Sequence, residues 1–567
     1  MKIHQVSDQF SYSSQVSEAD LAQLKEAGVE ILVCNRPDAE AADQPEYTSL
    51  ARAAEALGME AHLIAFKSGH LEPGHRDQFK PLLAGGKRIH AFCRTGNRSF
   101  NLYAAAAADL GVDHDTLRAQ AREAGFDIGP LLDGAQQQAA QAPRETATTG
   151  VEGAKSSFDV VIVGAGSGGV ALASSLKRRN SRLRINLIDP ASDHYYQPGW
   201  TMVGGGVFDA SSTRRRMADL IPKGVVWTQQ AVTGFNTAAN EVVLNDDSVV
   251  HYKQLVVAPG LVLNWSAIEG LTETLGSNGV TSNYRYDLAP YTWELVQNLK
   301  SGKAFFTQPA MPIKCAGAPQ KAMYLSCHHW RKSGVLDSVD VHFLNAGGVL
   351  FGVKDYVPAL QSYIERYGIS THYSHTLKSV DGAAKVARFE KASGDDASET
   401  LEMEFDMMHV CPPQCAPDFV ARSELADAAG WLDVDQFTLR HKQVANIWGL
   451  GDVMSAPNAK TMAAVRKQVP VVAENLLAVM EGREPAFGYD GYGSCPLTVE
   501  RGKIVLAEFG YGGKLLPTFP TWLINGTQPS RAAWTLKKDI LPGVYWNMML
   551  KGREWMAGAQ PLEKVKS

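Results

Sequence analysis

Cysteine is scarce. The chain has seven in 567 residues, at positions 34, 93, 315, 327, 411, 415 and 495. An odd, scattered set is not the disulfide framework of a small secreted domain, so single thiols become candidates for chemistry. Charge of one sign is lacking too. Lys and Arg number 55 against 60 Asp and Glu, a net of −5, which argues against a nucleic-acid partner. No run of about 18 uncharged apolar residues occurs, so no membrane-spanning helix is expected. MKIHQVSDQF has no apolar signal core, and a cytoplasmic address is expected. No paired Cys or His spacing accompanies Cys411 and Cys415 in VCPPQCAP, so they read as structural and no metal is expected. What is present is ordinary: 45% hydrophobic and 20% charged residues, the mix of a folded globular chain. The length exceeds the roughly 250–300 residues that one core supports, so several domains are expected.

Residues 1–128 alternate strand-like and helix-like segments. VEILVCNRP, EAHLIAF and KRIHAFC read as strands, and SLARAAEALG and NLYAAAAADLG as helices. This predicts an α/β domain with a mostly parallel sheet. Residues 129–157, rich in Gln, Ala, Thr and Gly, read as a flexible linker. A second α/β region spans 158–485. Residues 486–567 are aromatic and proline-punctuated. Within 531–567 there are seven Lys/Arg against three Asp/Glu, with Trp534, Tyr545, Trp546 and Trp555, a composition suited to a membrane surface or to an ordinary core element.

The chemistry starts at FDVVIVGAGSGG. A buried strand runs into Gly164-x-Gly166-x-x-Gly169 and then a helix, and RINLID ends in Asp189, 20 residues after Gly169. Strand, glycine turn, helix, strand and acid in register predict dinucleotide binding, with the pyrophosphate on the helix N-terminus and the acid on a ribose. LVVAPG and, later, VANIWGLGDV point to FAD, with Gly451-Asp452 offering a carboxylate to ribityl hydroxyls. Nicotinamide-linked relatives of such a fold carry a second glycine triad. Here KAFFTQP is followed by AMPIKCAGAPQKAMYLS, and Cys315 stands where that cradle would be. Lys314 before it and a helix after it favour the thiolate. Cys327, inside that helix, reads as structural. Cys495 lies in the tight loop YDGYGSCPL. In HAFCRTGNRS, Cys93 and Arg98 bracket a strand–loop–helix turn whose amides would ring an anion.

These segments resemble a known family. HYYQPGWTMVGGG, PIKCAGAPQKAMYLS, GVKDY, ADAAGWLDVD, NIWGLGD and YDGYGSCPL look like sulfide:quinone oxidoreductase, over residues 158–555. The resemblance implies two Rossmann-like dinucleotide domains and a redox pair formed by Cys315 and Cys495. It also implies FAD contacts at Gly164, Gly166, Ser167, Gly168, Gly169, Asp189, Gln197, Asp452, Lys460 and Thr461, with Val232 near the adenine. Hydrosulfide would open a Cys315–Cys495 disulfide, with or without a bridging sulfur, leaving a persulfide on one cysteine and a thiolate on the other. The family suggests Cys315 as the persulfide holder. Electrons would pass to FAD and on to quinone, and sulfane sulfur to a thiol acceptor. Quinone implies peripheral membrane contact through the C-terminal region, and the oligomeric state is left open.

The N-terminal segment resembles the tyrosine-phosphatase-like domains fused to sulfur-metabolism enzymes, and NRPDAE fits too. Four residues separate Cys93 from Arg98, as in rhodanese sulfurtransferases, where phosphatases place five. That favours sulfur transfer, with Cys93 taking sulfane sulfur from the flavoprotein across the linker and Asp38 as a candidate general acid. Two other functions remain open. One is an NADH-linked flavin disulfide reductase. The other is a slow redox-sensing FAD protein whose N-terminal module recognises phosphate.

Overall fold

The computed structural model describes residues 3–38, 44–66, 71, 73–94, 96–113, 116–117, 120–121, 157–392 and 398–566. The chain forms two compact units, Met1–Glu152 and Gly153–Ser567. The linker expected at 129–157 lies outside the described residues except for Ser157, which opens a strand.

In the first unit a five-stranded sheet runs in the order His4–Gln5, Phe10–Ser13, Ile89–Phe92, Ile31–Cys34, Glu60–Leu63. Only the first pair is antiparallel. Ile31, Val33, Ile89 and Ala91 face a core with Phe10, Phe79 and Phe100. Leu32, Cys34 and Phe92 face a second core with Leu21, Leu24 and Leu50. Burial on both faces is why ILVC is an unbroken apolar run rather than an alternating one.

The second unit has a mixed sheet, parallel except for the antiparallel strands Glu241–Leu244 and Val232–Asn236 at one edge, and a five-stranded parallel sheet. In the first, Ser157–Val163 lies between Ile185–Ile188 and Val249–Val257, and Ile447–Gly449 pairs beside the latter. The helices Ser167–Arg179 and Met462–Met480 pack together on it. In the other, Gly302–Gln308 lies between Met407–His409 and Val339–Asn345. An antiparallel hairpin, Gly493–Glu500 with Lys503–Phe509, follows. The chain then makes a helix over Arg531–Thr535, a π-helical turn over Leu536–Ile540 and a helix over Leu541–Asn547. Among the described residues no helix is long and apolar enough to cross a membrane.

Candidate redox site

The strand Ser157–Val163 turns at Gly164, whose φ of +98° only glycine adopts readily. A Cβ on Gly164 would lie 2.4 Å from the Ala258 carbonyl oxygen, and one on Gly169 1.8 Å from that of Gly164, whereas Gly166 faces open space. Two glycines are thus fixed by close packing, and the third leaves room for a ligand at the N-cap of the helix Ser167–Arg179. This is the division of labour a pyrophosphate cradle needs. Asp189 accepts hydrogen bonds from the Ala165 amide at 2.6 Å and the Ala191 amide at 2.8 Å. Burial pushes its carboxyl up, and these amides pull it back.

A cavity of about 300 Å³ opens at this loop. Gly166, Ser167, Gly168, Gln197, Gly451, Asp452, Lys460 and Thr461 line it, with Cys315. Gly164, Gly169, Asp189 and Val232 lie outside this lining; Val232 opens the strand Val232–Asn236 at the sheet edge. Trp200 Nε1, Thr201 Oγ1 and both amide atoms of Asn283 are buried, line the cavity and lack partners among the described residues. Unmet hydrogen-bonding capacity beside a dinucleotide cradle fits the polar rim of a flavin. Lys314 Nζ donates to Gln197 Oε1. Burial pushes the Asp452 carboxyl up, against Lys314 and Lys460. Burial also brings the Lys460 ammonium down to about 8. That ammonium donates to the Asp452 and Met454 carbonyls at 2.6 and 2.8 Å. Thr461 caps the helix Met462–Met480, its Oγ1 accepting from the Ala464 amide at 3.2 Å.

The two thiols meet just behind the cavity, which Cys315 lines while Cys495 packs in the core beside it. Cys315 Sγ lies 4.0 Å from Cys495 Sγ, both cysteines free. Lys321 Nζ, six residues on in the helix Ala318–Ser333, donates to Cys315 Sγ at 2.8 Å. The Cys315 backbone has φ +33°, which costs a non-glycine residue about 1–3 kcal/mol. It is held by the Cys315 amide on the Lys460 carbonyl at 3.0 Å and the Ala318 amide on the Cys315 carbonyl at 2.6 Å. The hydrogen bond from Cys495 and the charge of Lys321 together outweigh burial and hold the Cys315 thiol well below its ordinary range. Cys495 is held high by that same hydrogen bond and by burial. Lys537 is also buried here, its Nζ donating to the Pro496 carbonyl at 3.3 Å and Thr498 Oγ1 at 3.0 Å. Burial, with Lys321 nearby, pushes it down to about 7.

In the first unit, fully buried Cys93 follows the strand Ile89–Phe92, and its Sγ accepts from the Gly96 amide at 3.2 Å. Gly96 has φ +90° and heads the helix Asn97–Asp109. Arg98, nearly buried, donates to the Phe66 carbonyl at 2.9 Å. Asp38 accepts from the Tyr47 amide at 2.9 Å. Thr95, within the loop, lies outside the described residues.

Residues 158–469 match the family model described as pyridine nucleotide-disulphide oxidoreductase. The mitochondrial sulfide:quinone oxidoreductase of Mus musculus is 39% identical over 399 residues, 70% of this chain and 88% of the relative. That of Dictyostelium discoideum is 40% identical over 397 residues, covering 70% and 86%. The chain belongs to the sulfide:quinone oxidoreductase family. Its cofactor is FAD, which the cradle and cavity fit. The X-ray structure of the sulfide:quinone oxidoreductase from Aquifex aeolicus shares the fold, with a TM-score of 0.58 at 18% identity over 70% of this chain and 92% of that one. Residues 2–110 match the phosphatase-like domain of beta-lactamase hydrolase-like protein, so a phosphatase-like domain is fused to this sulfide:quinone oxidoreductase body. The Mus musculus and Dictyostelium discoideum relatives are named mitochondrial, and nothing supports the expected cytoplasmic address.

For a sulfide:quinone oxidoreductase the sequence hid three groups. Lys321 and Lys537 carry no motif; Lys321 is betrayed only by its place one turn beyond Ala318. Tyr545 is the third. Its hydroxyl lies 2.8 Å from Ser167 Oγ and 2.6 Å from His194 Nε2, bracing the cradle from 378 residues away. The composition of 531–567 suggested interfacial aromatics, but Tyr545 and Trp546 are core residues, packed with Tyr196 and His194. Exposed apolar side chains of the C-terminal region include Trp522 at 83%, with Leu523, Ile540 and Trp555. Cys327 is fully buried, and burial raises its thiol, as a structural cysteine requires.

Proposed function

We propose that this chain oxidises sulfide at the Cys315–Cys495 pair, passes the electrons through FAD to a quinone, and hands the sulfane sulfur to a thiol acceptor. The observation that carries this is the pair itself: two sulfurs 4.0 Å apart, one lining the cavity with an ammonium 2.8 Å away. In the oxidised state the pair is a disulfide. Hydrosulfide attacks one sulfur and the S–S bond breaks. The attacked cysteine becomes a persulfide and the other departs as thiolate. The better leaving thiolate is the one with the lower pKa, which the surroundings make Cys315, and Lys321 Nζ holds the charge it acquires. Attack then falls on Cys495, the reverse of the assignment drawn from the resemblance. FAD, when bound, accepts an electron pair and delivers it to quinone. A thiol acceptor removes the terminal sulfur, and Cys495 rejoins Cys315 as two electrons leave.

Exposed Trp522, Leu523, Ile540 and Trp555 support peripheral contact with the lipid that carries quinone. Cys93 is the proposed first acceptor, its buried thiol held by the Gly96 amide at a helix N-terminus, with a tethered concentration of the order of mM. Sulfide-dependent reduction of a soluble quinone analogue tests the proposal. Cys315→Ser and Cys495→Ser must each abolish it, and turnover surviving either change refutes the pair.

A further inference from the structure

A quinone becomes quinol only with two electrons and two protons. FAD, when bound, would supply the electrons, and this chain's own residues would have to carry a proton to the quinone oxygen. One end of the cavity is apolar, walled by Leu506, Phe519, Leu536 and Leu541, and one carboxylate faces it, that of Glu508. Strand alternation puts Glu508 there. On Lys503–Phe509, Leu506 and Glu508 turn to the cavity while Val505 and Ala507 turn to the opposite core. Glu508 pairs in register with Ser494, next to Cys495.

Glu508 is 5% exposed. Among the described residues no cation lies within ion-pair distance of its carboxylate. Its donors are instead the Tyr492 hydroxyl at 2.6 Å, the Thr518 hydroxyl and the Thr518 amide at 3.2 Å, the first two on the same oxygen. Burying a carboxylate without a cation is costly, and a hydroxyl network is what a proton carrier requires. Tyr356 holds the strand by accepting the Glu508 amide and donating to its carbonyl, each at 2.9 Å. The other charged groups nearby are Arg466 and the buried Lys537, which line the cavity, and Lys467, 5.5 Å from the Tyr492 ring.

We propose that the Glu508 carboxyl delivers that proton to a quinone oxygen in this end of the cavity and is resupplied through the hydroxyls of Tyr492 and Thr518. The inference rests on quinone being the electron acceptor. In the step, the Glu508 O–H bond breaks as the quinone O–H bond forms, and the carboxylate regains its proton from solvent. No further oxidant or reductant enters.

The test bypasses sulfide. The bound flavin of the full-length holoprotein is photoreduced anaerobically and mixed with a short-chain quinone, and reoxidation is followed by absorbance. Glu508→Gln should slow reoxidation about 100-fold and make the rate rise as pH falls. Glu508→Asp should restore part of it, and Tyr492→Phe should slow it less than Glu508→Gln does. Flavin content and melting temperature close to those of the unaltered protein separate this from misfolding. Equal rates and pH profiles in Glu508→Gln and the unaltered protein would overturn the proposal. If quinone fails to reoxidise even the unaltered protein, the quinone reading falls and this inference with it. If quinone reoxidises it but sulfide cannot reduce it, only the sulfide half falls.

Discussion

Replacing Lys321 by Met keeps the stem and removes the charge. Lys321 Nζ lies 2.8 Å from Cys315 Sγ. At an effective dielectric constant of about 20, unit charges that close attract by about 6 kcal/mol, and desolvation of the buried pair takes back much of this. Partners at such range shift a titration by about 1–3 pKa units, and 2 units correspond to about 2.7 kcal/mol. The hydrogen bond from Cys495 remains, so Cys315 should stay below an ordinary thiol but well above its present value. The assay is the rate of alkylation at Cys315 in the reduced protein, read by mass spectrometry as a function of pH, because only the thiolate reacts. The midpoint should rise by about 2 units, and the rate near neutrality should fall accordingly. An unchanged midpoint would show that Cys495 and the helix terminus hold the thiolate without Lys321, and the leaving-group argument would lose its basis.

Gly317→Ala puts a Cβ 2.5 Å from Cys495 Sγ and 2.4 Å from Leu497 Cδ2; overpacking should cost about 1–3 kcal/mol in thermal melts and slow disulfide closure. Gly169→Ala, with its Cβ 1.8 Å from the Gly164 carbonyl oxygen, should yield protein purified without flavin, read from its visible absorbance. Lys537 titrates near 10.5 when unfolded and about 7 when folded, so between those values the unfolded chain binds the extra proton and stability rises with pH. Lys537→Met should flatten that rise in denaturant titrations at pH 7 and 9. Cys93→Ser should change the yield or identity of sulfane-sulfur products formed from sulfide and quinone, and unchanged products would exclude the relay.

The cradle was legible because its chemistry is local. Gly164 to Gly169 and Asp189 sit in one βαβ stretch, where turn, helix start and acid have fixed spacing. Cys315 was legible by substitution, a thiol where glycines were due. Its partner Cys495 came only from the resemblance and not from spacing: 180 residues separate the two, and the antiparallel hairpin carrying Cys495 beneath the helix at Ala318 closes the gap. Lys321 and Lys537 were hidden for the same reason, since a buried lysine looks like a surface one until its neighbours are known. The aromatic tail left two readings open because composition records polarity and not direction. Tyr545 and Trp546 turn inward to brace His194 and Ser167, while Ile540 and Trp555 of the same segment stay exposed.

Anaerobic titration of the flavin-loaded protein with sulfide, following the visible spectrum, tests the central claim most directly. Prompt bleaching by stoichiometric sulfide, reversed by a quinone analogue and abolished in Cys315→Ser, is the predicted result. Bleaching that persists in Cys315→Ser, or a flavin that sulfide leaves oxidised while NADH reduces it, would contradict the account.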